Sequence, residues 1–112
     1  MKIKIRIMAD DKKKKLLDFI DRKAFDVIIN ADPKKYSKED QKKLEDIQRK
    51  TKNEKEQFHK DYNNAKEVKE GFLSDVRSDA AKKLDKELRH LHLPTLPELK
   101  DDFMELCDKL GV

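Results

Sequence analysis

The sequence predicts an all-α fold, namely a small four-helix bundle-like domain with one long helix and a short extended N-terminal segment. Three observations predict it. Charged residues make up 46% of the 112 residues, only two glycines and three prolines occur, and the apolar residues recur at steps of three and four. A β-sandwich or barrel needs many turns rich in glycine and proline, which this chain lacks. A chain of this length suits one domain.

The first seven residues alternate isoleucine with basic residues, which is the period of a half-buried strand. Because no second alternating run follows, we predict an extended basic tail or lone strand over residues 1–9. The segment would pair with its copy in another subunit, remain a flexible tail, or precede a natural start at Met8. Residues 10–112 are predicted to form a single helical domain.

The first predicted helix begins at a capping aspartate, Asp10 or Asp11, and ends between Asn30 and Pro33. Its apolar stripe consists of Leu16, Leu17, Ile20, Ala24 and Val27. Phe19 and Phe25 fall off this stripe. They are therefore either contacts for a partner or residues buried between helices.

The second predicted helix is the long one, running from residue 38 to residue 70 and ending at Gly71. Ser37 followed three residues later by Asp40 is typical of a helix start, because the short side chain accepts a hydrogen bond from a free amide of the first turn. One face of this helix carries its apolar side chains together with Thr51. Its members are Leu44, Ile47, Thr51, Phe58, Tyr62, Ala65 and Phe72.

Two further helices follow. The third has an apolar stripe and ends at Pro94; the stripe comprises Ala80, Ala81, Leu84, Leu88 and Leu91. Thr95 and Glu98 predict a capping box that starts the last helix, and Gly111 predicts a left-handed cap that ends it. The core face of the last helix comprises Leu99, Phe103, Leu106 and Leu110.

The charge is distributed unevenly along the chain. Residues 1–23 carry nine bases and four acids, whereas residues 94–112 carry two bases and five acids. Four consecutive lysines, Lys12–Lys15, fall in the predicted first turn of the first helix. The run is either a solvated helical turn or a contact for a partner. The positive end of a helix disfavours positive charge, and this conflict is the main sequence indication of a partner.

The preferred functional hypothesis is a non-enzymatic protein–protein interaction or regulatory module, such as an adaptor or inhibitor. A protein partner is expected, and a homodimer is a further option. The candidate partner-binding residues combine the lysine run, the two off-stripe phenylalanines and acids of the last helix. They are Lys12, Lys13, Lys14, Lys15, Phe19, Phe25, Asp101, Glu105 and Asp108.

The alternative hypothesis is a nucleic-acid-binding protein that uses its basic N-terminal region, because lysines can contact phosphates with release of counterions. Its residues would be Lys2, Lys4, Arg6, Lys12, Lys13, Lys14, Lys15, Arg22, Lys23, Lys34 and Lys35. The composition does not favour it, since 23 of the 28 bases are lysine and arginine is better suited to bidentate phosphate contacts.

Several classes of chemistry are not expected. The glycines are too few for a phosphate-binding loop, no apolar run approaches the length of a membrane span, and the first residues do not form a signal peptide. The lone Cys107 predicts a reducing cytoplasm. Glu56–His59 and Glu87–His90 have the spacing of a di-iron site but fall off the apolar stripes. We predict no catalytic residues, metal, cofactor or small-molecule substrate.

Overall fold

A computed structural model describes the backbone of residues 2–112 and the side chains of residues 11–112. It confirms the all-α, bundle-like fold, and no strand occurs in the described backbone. The elements are α1 (Lys2–Ile20), a π-helical turn (Asp21–Phe25), α2 (Asp26–Ile29), a 3-10 turn (Pro33–Lys35), α3 (Lys38–Lys60), α4 (Ala65–Arg77), α5 (Asp79–His90) and α6 (Leu96–Leu110). Among these described helices, none is both long and apolar enough to cross a membrane.

The N-terminal segment differs from its prediction. Residues 2–9 belong to α1, so the extended tail or lone strand predicted there is wrong for those residues. The physical reason is that a helix satisfies its own backbone hydrogen bonds, whereas a single strand needs a neighbour. Met1, and the side chains of residues 2–10, lie outside what the structure describes.

The first helical rod runs through α1, the π-helical turn and α2 without leaving helical backbone angles, and it ends at Ile29 as predicted. Its carboxyl end is capped from another helix. Gln48 Nε2 on α3 lies 3.1 Å from the carbonyl oxygens of Ile28 and Ile29, and 3.0 Å from that of Ala31. One amide group therefore lies within hydrogen-bond reach of three carbonyls at this helix end, of which that of Ile28 also accepts from the amide of Ala31 at 3.3 Å.

We expect Gln48→Leu to lower the free energy of unfolding by about 1–2 kcal/mol, because half-buried carbonyls would lose their donor. Urea denaturation measures the change, and Gln57→Leu, at an exposed position of the same helix, is the matched control. Equal effects of the two substitutions would show that the cap contributes nothing to stability.

The long helix predicted over residues 38–70 is wrong, because the chain turns between α3 and α4. Ser37 caps α3 as predicted, but a second cap lies at Asn64, whose Oδ1 accepts from the amide of Glu67 at 3.0 Å. The Glu67 carboxylate accepts in return from the amide of Asn63 at 3.2 Å. This reciprocal pattern is the sequence signal that the prediction missed.

Gly71 does not end a helix; it is a buried residue in the middle of α4. An added Cβ there would lie 2.7 Å from Cε2 of Tyr62 and still closer to the hydroxyl end of the ring. The glycine is therefore needed so that the tyrosine of the α3–α4 turn can pack directly on the α4 backbone.

The remaining helix ends are set by short side chains and one glycine. Ser78 joins α4 to α5: its Oγ accepts from the amide of Ala81 at 3.1 Å and donates to the carbonyl of Asp75 at 2.9 Å. Gly111 has φ +72° and caps α6 as predicted. Thr95 precedes α6, but the capping bond predicted for its side chain is not formed, and its buried hydroxyl has no hydrogen-bond partner among the described residues.

The described side chains form two apolar cores. The larger core lies among α1, α4, α6 and the end of α3, and its buried residues are Leu16, Leu17, Ile20, Ala24, Phe25, Phe58, Ala65, Val68, Phe72, Phe103 and Cys107. The smaller core lies where α2, the first half of α3 and the end of α5 meet, and consists of Ile28, Leu44, Ile47, Leu88, Leu91 and Leu93. The larger core holds α6 alongside α1, which creates the candidate site.

Candidate functional site

The strongest candidate site is a groove of about 440 Å³ between α1 and α6. The two helices run antiparallel, because Lys12 lies near Gly111 and Phe19 packs against Phe103. The groove is lined by Lys15, Asp18, Phe19 and Arg22 from α1 and the π-helical turn, and by Asp102, Glu105, Leu106 and Lys109 from α6.

The floor of the groove is apolar and anchored in the larger core. The half-buried ring of Phe19 lies 6.0 Å, centroid to centroid, from Phe103. Phe103 is fully buried and stacks on Phe72 at 4.0 Å. Leu106 is also half-buried. A partner side chain entering the groove would therefore meet a surface already fixed by packing.

The rim carries both signs of charge, and its ion pairs lie within single helices. Lys15 pairs with Asp11 at 3.2 Å, Arg22 with Asp18 at 2.8 Å, and Lys109 with Glu105 at 3.5 Å. All six side chains are more than half exposed. Exposed pairs of this kind contribute little to stability, so the rim groups can exchange partners at small cost.

The lysine run is not in the first turn of a helix. Because α1 begins at Lys2, the four lysines lie in its middle, and the predicted conflict with the helix dipole is wrong. They also point in different directions. Lys15 lines the groove, whereas the Lys12 ammonium lies 3.8 Å from where a Cβ on Gly111 would be, at the carboxyl end of α6. That end of a helix favours a positive charge.

Phe25 is a core residue and not a contact for a partner. Its side chain is 3% exposed and lies 5.5 Å, centroid to centroid, from the buried Phe58. Its position off the straight α-helical stripe predicted either a contact for a partner or burial between helices, and the structure shows burial. The π-helical turn at Asp21–Phe25 advances the chain by less per residue and rotates Phe25 toward the interior.

The three acids predicted as contacts on the last helix do not all lie at the groove. Glu105 lines the groove, whereas Asp101 and Asp108 are exposed and lie outside its lining. Groove residues missed in the partner-binding set are Asp18, Arg22, Asp102, Leu106 and Lys109. Their signal is a spacing of three and four residues along the border between the apolar stripe and the solvent face of each helix.

The described residues of the nucleic-acid hypothesis are spread along the first helical rod and the turn that follows it, and two of them, Lys15 and Arg22, line the groove. The side chains of Lys2, Lys4 and Arg6 lie outside the described residues. Lys34 and Lys35 sit in the 3-10 turn beyond α2, and at about 1.5 Å per residue the helical rod alone places Lys15 about 21 Å from Ile29. Arg22 pairs with Asp18, and Lys23 is exposed.

The histidines of the two Glu-x-x-His segments pair with acids from other elements. His59 Nε2 lies 2.8 Å from Asp21 Oδ2, and His90 Nε2 lies 3.3 Å from Asp40 Oδ1. Among the described side chains, no three histidine, cysteine or acidic groups come together as a metal cage. Burial raises the pKa of the Cys107 thiol, with a smaller opposing effect of Lys69, so the thiol stays protonated at neutral pH.

The described geometry therefore defines an all-α, bundle-like domain with a mixed-charge groove on its surface. The chain matches no protein-family model, no curated protein and no solved structure.

Proposed function

We propose that the chain is a non-enzymatic helical interaction module that holds a helical segment of a partner protein in the groove between α1 and α6. The observation that supports this best is the apolar floor formed by Phe19 and Leu106 between two charged rims. Helix-binding grooves use this arrangement, since apolar anchors supply affinity and the rim charges supply orientation.

The charges on the rims specify the partner further. The rim on the α1 side has two bases and one acid, Lys15, Arg22 and Asp18, whereas the α6 rim has two acids and one base. A complementary segment carries acids along one edge, bases along the other and an apolar ridge between them. An amphipathic helix with charges at steps of three and four has this pattern.

The test is selection from a displayed library of amphipathic helical peptides, followed by calorimetry and NMR shift mapping on the full chain. We expect groove-directed peptides to lose at least tenfold in affinity with Lys15→Glu, which reverses a charge on the rim. Lys14→Glu is the matched control, because the neighbouring lysine is exposed but does not line the groove. It should change affinity less than twofold.

Two outcomes would contradict the proposal. One is a set of selected peptides that bind with equal affinity to both charge-reversal variants. The other is tight binding of random duplex DNA that falls steeply with added salt and is weakened equally by Lys14→Glu and Lys15→Glu. Such behaviour would favour the nucleic-acid hypothesis.

The proposed setting is a reducing cytoplasm, since the chain has one cysteine and its thiol is buried in the larger core. A second copy of the chain is also a candidate partner. Light scattering at increasing concentration tests this option, and a constant monomer mass would eliminate it.

A further inference from the structure

Two polar pairs join the second half of α3 to the π-helical turn. His59 Nε2 lies 2.8 Å from Asp21 Oδ2. Lys55 Nζ lies 2.6 Å from Asp26 Oδ1. Asp21 is the first residue of the turn and Asp26 is the residue directly after it, so the two pairs bracket the turn. The Asp26 amide also donates to the Asp21 carbonyl, and this i to i+5 bond is the one that defines a π-helix.

The spacing of the two pairs matches a π-helical turn and not an α-helical one. Lys55 and His59 are four residues apart, so they lie on one face of α3. Asp21 and Asp26 are five residues apart, and in an α-helix they would point about 140° away from each other. The π-helical turn brings both carboxylates onto the face toward α3, because its i to i+5 bond closes over one more residue.

The pairs lie partly out of the solvent, which distinguishes them from the ion pairs on the groove rims. The Asp21 side chain is 15% exposed, and its Oδ1 is buried without a hydrogen-bond donor among the described residues. A buried carboxylate that loses its donor is costly, so the contact with His59 matters. The hydrogen bond to Asp26 raises the pKa of the Lys55 ammonium, and the charge of Asp21 acts in the same direction. Lys55 therefore interacts with both ends of the turn.

The contact with His59 does not require a charged imidazole. Nε2 carries a hydrogen both in the imidazolium and in one of the two neutral tautomers, and in either form it donates to Asp21 Oδ2. The turn is therefore held by side chains of α3 in both protonation states of the histidine.

The turn sets the direction in which α1 presents its side chains. Leu16, before the turn, belongs to the larger core, and Ile28, after it, belongs to the smaller core. Converting the turn to α-helix would rotate α1 against α2 by about a quarter of a turn. Phe19 lies two residues before the turn, lines the groove and contacts Phe103. Residues that fix the turn thus fix the floor of the groove.

We propose that Lys55 and His59 are positioning residues that clamp the π-helical turn and thereby hold Phe19 in the groove between α1 and α6. The effect on partner binding rests on the proposed function, because it concerns the same groove, whereas the clamp itself does not. Without the two donors the turn loses its i to i+5 bond, α1 rotates about its axis, and the Phe19 ring leaves Phe103.

The test removes both donors and keeps the apolar parts of the side chains, in the double variant Lys55→Met with His59→Phe of the full chain. By NMR, we expect the Asp26 amide to lose hydrogen-exchange protection at least about tenfold. The NOEs between the Phe19 and Phe103 rings should disappear. Groove-directed peptides should bind at least about fivefold more weakly, since their apolar anchor is displaced.

The matched control is Lys52→Met with Lys60→Phe, which makes the same replacements at exposed positions of the same helix. It should keep the amide protection, the ring NOEs and the peptide affinity of the wild type. Exchanging the partners, Asp26→Lys with Lys55→Asp, should restore the protection that either single substitution removes. A side chain that only fills space would not be rescued in this way.

The clamp is overturned if the double variant keeps both the Asp26 amide protection and the ring NOEs. It is equally overturned if protection falls by the same factor throughout α1, α3 and α6, because the loss would then be global and not confined to the turn. If the wild type binds no library peptide, the proposed function fails, while the amide exchange and the ring NOEs still decide the clamp.

Discussion

Phe25→Ala is expected to lower the free energy of unfolding by about 3–5 kcal/mol, because it removes a ring from a filled core. The Phe25 side chain is 3% exposed and packs on Phe58, which is fully buried. A domain of this size has a total stability of about 6–17 kcal/mol, so the substitution would remove a large fraction of it.

Urea denaturation at constant pH measures this loss of stability. Two further variants serve as comparisons for it. Phe25→Leu keeps most of the apolar volume and should cost less than about 1.5 kcal/mol. Phe19→Ala removes a half-buried ring from the groove floor, so it should cost less than Phe25→Ala and weaken peptide binding more. If Phe25→Ala leaves stability unchanged and abolishes binding, Phe25 belongs to the interface and the core assignment fails.

Gly71→Ala is expected to destabilise the protein by about 1–3 kcal/mol, although alanine is normally the better helix former by about 1 kcal/mol. The new methyl group would overlap the Tyr62 ring. That ring packs edge-on against Phe58 at 5.0 Å, so displacing it also disturbs the larger core.

A double-mutant cycle separates the clash from the helix propensity. In a Tyr62→Ala background the obstruction is gone, and Gly71→Ala should then stabilise the chain by about 1 kcal/mol. Ser74→Ala, at an exposed position of α4, reports propensity alone and should stabilise slightly in both backgrounds. A stabilising Gly71→Ala in the wild-type background would show that Tyr62 moves aside without cost.

Much of the fold was readable from local patterns. The ends at Ile29 and Gly111 and the start after Ser37 were predicted because each depends on residues within one turn. The helix start at Asn64 also depends on residues within one turn. It was missed because the apolar spacing from Phe58 to Phe72 continues across the turn as if the helix were unbroken. Where a turn preserves the phase of the apolar stripe, periodicity alone does not reveal it.

The candidate site was predicted in part. Lys15, Phe19 and Glu105 were selected from the sequence, and the structure brings all three into one groove. Phe25 was selected for the same reason as Phe19 and proved to be buried, because the π-helical turn changes the angle between them. A wheel drawn at a constant angle per residue does not include such a turn.

The sequence by itself determined the helical class and the amphipathic faces, because these follow from spacing within each helix. The charge asymmetry was also evident from the sequence, since the N-terminal region is basic and the last helix is acidic. Only the tertiary structure decided that these two helices lie antiparallel, with Lys12 at the carboxyl end of α6 and a groove between them. It also placed Glu54 and Asp75 on the same crevice beside the α4–α5 corner. Contacts between distant residues depend on how helices pack, and helical periodicity carries no information about which faces meet.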